Sequence, residues 1–70
     1  ESGAEAEVRF ADGMLEVSAV ADRIIVYGLD GKPVSMAEGV SVLDVNSLDK
    51  GVYTYEIRVE GRRIAGKFII

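Results

Sequence analysis

Seventy residues without Cys, His or Trp allow one domain, with no disulfide staple and neither the commonest general base nor the commonest metal ligand. With 49% hydrophobic and 29% charged residues, the chain is too apolar to be disordered. The net charge of −4 argues against nucleic acid, which needs a basic face, and no apolar run approaches the ~20 residues of a membrane helix.

Glu1 to Glu7 is small and acidic without apolar periodicity and reads as a linker or cloning remnant. The chain opens on Glu1-Ser2-Gly3, so it is expected to be the C-terminal piece of a longer protein, with residues 8–70 as its domain. Val8-Arg9-Phe10 alternates as a short strand, Asp12-Gly13 is a hairpin turn, and Met14 to Ser18 returns with Leu15 and Val17 inward. Ala19 to Asp22 reads as a connection, and Arg23-Ile24-Ile25-Val26-Tyr27 as a central strand, β-branched and almost continuously apolar.

Gly28 to Lys32 is the next turn, with Asp30-Gly31 at its tip. Pro33 opens Val34-Ser35-Met36, an edge strand because proline cannot donate to a ladder. Glu38-Gly39 turns again, Val40 to Val45 alternates, and Asn46 to Gly51 is a loop with room for one helical turn. Val52 to Glu60 is the clearest strand, with Tyr53, Tyr55, Ile57 and Val59 on one face. After a turn at Glu60-Gly61, Arg62 to Ile70 returns with Ile64, Phe68 and Ile70 on one side, and Gly66 suggests a bulge or a close approach. Seven short strands with turn signals between them predict an all-β fold, a small antiparallel sandwich.

Catalysis has little support. Ser18, Ser35, Ser41 and Ser47 have no His to activate them, and a small sandwich leaves little room for a cleft. No enzyme activity, catalytic residue or cofactor is expected. Asp12, Asp22, Asp30, Asp44 and Asp49 sit in or beside turns. They are oxygen ligands of the kind calcium takes, but without EF-hand spacing the ordinary turn role is favoured over a metal site. Tyr53 and Tyr55 read as core residues whose hydroxyls reach a loop, in the manner of a corner tyrosine, rather than as a stacking platform. Arg62 and Arg63 form a small basic spot that discourages edge pairing, with docking as the minor alternative.

Four segments resemble, in order, the type A-like C-terminal sorting domain of type IX secretion system cargo proteins in Bacteroidetes. Ile24 to Val34 is similar to the family's apolar strand, turn and "G-(K/R)-x-V", here Gly31-Lys32-Pro33-Val34. Leu43-Asp44-Val45-Asn46-Ser47-Leu48 resembles its "L-D-hydrophobic-(S/N)-x-L", and Gly51-Val52-Tyr53 its "G-hydrophobic-Y". Lys67-Phe68-Ile69-Ile70 resembles its lysine-plus-apolar ending. Gly28 departs from the family's usual Asp or Asn, and Thr54-Tyr55-Glu56 is less apolar than in many relatives.

The resemblance implies a seven-stranded, immunoglobulin-like sandwich that serves as a sorting signal. The domain follows an N-terminal cargo domain through the periplasm and is recognised by the outer-membrane translocon. A surface sortase-like protease then usually removes it, and the cargo stays at the cell surface or outside. Gly51 and Tyr53 are implied as fold and signal residues, and Lys67, Phe68, Ile69 and Ile70 as the docking element. Asp30, Gly31, Leu43 and Leu48 belong to the turn and fold motifs. Cleavage is expected before Val8 or upstream of Glu1, because proteases prefer unstructured segments.

An apolar end of this kind can add to a sheet and fill pockets with alternate side chains, while backbone amides capture its carboxylate. Two other roles fit a small β-domain: an accessory glycan-binding or structural module of an extracellular protein, with Tyr27, Tyr53 and Tyr55 as stacking residues, and a homodimer through long edge strands such as Val52 to Val59. No insertion into a membrane is expected.

Overall fold

The computed structural model of the chain describes residues 6–70, so most of the segment expected as a linker lies outside the described residues. Five antiparallel strands make one sheet: β1 (Val8–Ala11), β2 (Met14–Tyr27), β3 (Pro33–Asp44), β4 (Val52–Val59) and β5 (Arg62–Ile69). Its path runs β1-β2-β4-β5, with β3 also paired to β2.

The two short hairpins follow from their turn residues. Asp12 and Gly13 (φ 54° and 74°) join β1 to β2, and Glu60 and Gly61 (φ 51° and 80°) join β4 to β5. Two consecutive positive φ angles are the mark of the type I′ turn, whose twist matches that of the flanking strands. At Gly13 the requirement is also steric, because a Cβ there would lie 2.6 Å from Nδ2 of Asn46.

The expected seven strands are five. Ala19 to Asp22 is no connection but the middle of β2, and Glu38-Gly39 is no turn but part of β3. β2 advances five positions from Glu16 to Ala21 while β3 advances two, from Val42 to Val40. Three extra residues on β2 are therefore taken up in a wide bulge, and Gly39 supplies positive φ (67°) on the opposing strand. A bulge bends and twists a strand without ending it. The chain thus stays in one curled sheet, where the sequence pattern suggested passage between two. Asn46 to Gly51 contains no helix.

The curl builds the core. The first half of β2 carries β1, and the second half carries β4 and, beyond it, β5. Leu15, Val17, Ala21, Ile24, Val26, Leu43, Val45, Ile57, Val59 and Phe68 are buried together. Phe10 of β1 packs at a tilt against Phe68 of β5 with ring centroids 4.9 Å apart, so the two ends of the sheet path meet across the core without a backbone ladder between them. Full burial of a Val, Leu, Ile or Phe side chain contributes roughly 1.5–3 kcal/mol before the entropy of ordering it is subtracted.

Packing begins before β1. Ala6 lies against the core, and Glu7 exchanges bonds with Ser18, so residues 6 and 7 belong to the fold and not to a linker. Pro33 opens β3, which among the described residues pairs with β2 alone and is an edge strand as its proline predicts. Val52 to Val59 lies between β2 and β5, so it is not the free edge suggested for pairing between copies. Asp22 sits within β2, outside any loop.

Candidate functional site: the C-terminal hairpin

β4 and β5 pair without interruption from Val52↔Ile69 to Val59↔Arg62. Beyond the ladder, the Ile70 amide donates to the Gly51 carbonyl (2.9 Å) and the Gly51 amide donates to the Ile70 carbonyl (3.3 Å). These reciprocal bonds put the glycine of Gly51-Val52-Tyr53 directly beside the last residue of Lys67-Phe68-Ile69-Ile70.

The period of two then sorts the closing residues. Phe68 points inward and is only 7% exposed, Ile69 points outward and is 66% exposed, Lys67 is exposed and Ile70 half-buried. The four residues suggested as a docking element therefore divide. Phe68 is core, and Lys67 and Ile69 are the side chains a partner can reach.

Tyr53 fixes the entry to β4. Its hydroxyl donates to the Asp49 carbonyl four residues upstream at 2.6 Å, and its ring stacks on Phe68 at 5.8 Å between centroids. The corner role read from the sequence is the one it plays. Tyr55 also packs on Phe68, at 6.2 Å, and covers Gly66. The register runs straight through Gly66, so this glycine marks the close approach of a ring, not a bulge.

The other motif residues frame the hairpin. An Asp30 carboxylate oxygen accepts the Lys32 amide (3.0 Å), and Gly31 (φ 83°) closes the turn. Through Tyr27↔Thr54 and Thr54↔Lys67 this turn lies at the same end of the sheet as Gly51 and Ile70. Leu43 is core, and Leu48 packs against it from the loop. Asp44 accepts the Asn46 amide at 2.9 Å, so Asp30 and Asp44 serve their turns. No metal-binding group of acidic residues occurs among the described residues.

Comparison of the chain with protein-family models, curated proteins and solved structures returned no match.

The outward face of the hairpin carries features that one-dimensional reading left apart. Tyr27 points outward and donates its hydroxyl to Glu56 (3.1 Å), which also meets Arg63 Nε at 3.5 Å. Desolvation, then the bond to Glu56, holds the Tyr27 phenol above its ordinary range. Arg23, Ile25, Tyr27, Glu56 and Arg58 line a shallow depression there. Alternation alone puts Arg58 and Arg63 outward, but only the strand register sets them side by side.

Proposed function

We propose that this domain is a C-terminal secretion signal of the type IX kind, a folded address read by an outer-membrane translocon and not an enzyme. Support comes from one relationship, the paired Gly51 and Ile70 backbones, which join the most recognisable landmark of the resemblance and its lysine-plus-apolar ending into one surface element. On that element Lys67 and Ile69 stand outward. Phe68 is spent on the core, where it holds the element in shape. The expected order of events is export to the periplasm as the tail of a cargo protein, recognition, passage, and removal at the cell surface by a sortase-like protease. An immunoglobulin-like sandwich is the family's form of such a signal, and here a single curled sheet fills the same role.

The test is transfer of the address. The 70-residue chain, placed behind an exported reporter in a bacterium that has this machinery, is expected to bring the reporter to the cell surface. The same fusion carrying Ile69→Glu, a change at an exposed position, is expected to leave it in the periplasm. A reporter retained in the periplasm by the unaltered chain overturns the reading. Glycan binding has less behind it, because Tyr53 and Tyr55 are turned onto Phe68 and Tyr27 is engaged with Glu56.

A further inference from the structure

The register sets Arg23 opposite Arg58 and Arg58 opposite Arg63, three arginines in one row across β2, β4 and β5. Their neighbours Ile24 and Ile57 are fully buried, so alternation turns the row outward. Adjacent strands are about 4.8 Å apart, and the row spans ~10 Å. Like charges directly opposite one another destabilise a sheet. At the β3 end the row closes on an acid, since Arg23 meets Glu38 at 3.4 Å. Arg63 reaches sideways to Glu56, and Arg58 has no ion-pair partner among the described residues. At the β5 end the row stops, because among the described residues β5 pairs only with β4. β5 itself carries Arg62, Arg63 and Lys67 and no acid.

We propose that the free edge of β5 docks an extended acidic segment of another protein, which adds as a sixth strand and sets carboxylates beside Arg63 and Lys67. An open edge supplies the backbone donors and acceptors for strand addition, and alternate side chains give it selectivity. Arg63 and Lys67 share a face four residues apart, about 13 Å along the strand, so the partner presents acids at matching positions i and i+4. A second copy of β5 brings the same three cations and is repelled, a common protection of edges. A continuous polyanion is disfavoured by Glu38 and Glu56 beside the row and by the net charge of −4. This inference goes beyond the secretion reading and does not depend on it.

The test uses the 70-residue chain and a short fluorescein-labelled peptide alternating Glu with Val, followed by anisotropy. Saturable binding that weakens as salt is raised is expected, because exposed charges are screened beyond ~10 Å at 0.1 M. The Arg63→Glu, Lys67→Glu double variant is expected to bind at least about ten-fold more weakly, ~1.4 kcal/mol. It is also expected to gain affinity for the peptide alternating Lys with Val. Circular dichroism checks that this variant keeps its strands. Absence of binding by the unaltered chain, unchanged affinity after charge reversal, or tighter binding of a sulfated polysaccharide or DNA than of the peptide each overturns the proposal. An inert edge in this assay leaves the reporter experiment unaffected, so the two readings fail separately.

Discussion

The ring of Tyr55 lies over the bare Cα of Gly66 on the neighbouring strand, where a Cβ would come within 2.6 Å of the ring's Cζ. Gly66→Ala is therefore expected to cost about 1–3 kcal/mol, the usual penalty of overpacking. Tyr55→Leu in the same chain is expected to recover part of that loss, since it removes the atoms in the way. Urea unfolding of the two single variants and the double variant measures the coupling. Additive losses would mean that the ring yields freely and does not hold the hairpin.

Phe68 and Ile69 are adjacent and should behave in opposite ways. Phe68 contacts the rings of Phe10, Tyr53 and Tyr55, and Phe→Ala in a core costs about 3–5 kcal/mol. The net stability of a domain this size is only ~3–5 kcal/mol once chain entropy is subtracted, so Phe68→Ala is expected to be largely unfolded at 25 °C by circular dichroism. Ile69→Ala, at an exposed position, is expected to stay within about 0.5 kcal/mol of the parent.

Tyr53→Phe removes the bond to the Asp49 carbonyl and keeps the stacked ring. The expected loss is about 0.5–1.5 kcal/mol. It should appear as faster amide exchange at Gly51 and Ile70, whose pairing the corner supports.

Arg58→Thr takes the middle charge out of the arginine row and substitutes a β-branched residue suited to a strand. Relief of two like-charge contacts predicts a gain on the scale of 0.2–1 kcal/mol per pair. Added salt should stabilise the parent more than the variant, because it screens a repulsion the variant lacks. A lower melting temperature for Arg58→Thr at low salt would show that the row is not strained.

The Tyr27 phenol, raised by desolvation and by its bond to Glu56, ionises at higher pH in the folded chain than in the unfolded one. Its contribution to stability is complete below the unfolded phenol's pKa and is lost as pH rises through the folded value. Comparing tyrosinate absorbance against pH for the parent and Tyr27→Phe isolates this group.

Alternation and turn chemistry were enough to place Asp12-Gly13 and Glu60-Gly61 as hairpins, Pro33 on an edge strand, and Tyr53, Ile57, Val59 and Phe68 inward. These are local properties: a period of two, a positive φ, a missing amide. The same local signals make Ala19 to Asp22 and Glu38-Gly39 resemble breaks between strands. The residues that end a strand also serve a bulge, and which one they make depends on whether a partner strand continues past them. Likewise, Arg23, Arg58 and Arg63 are each legible as outward cations, but nothing local aligns them. Local sequence, then, settles the all-β class, the inward faces and the short turns, because backbone sterics and hydrophobic periodicity act over a few residues. Pairing across long separations decided the rest: five strands in one curled sheet, Gly51 beside Ile70, Tyr55 over Gly66, and three like charges in a single row.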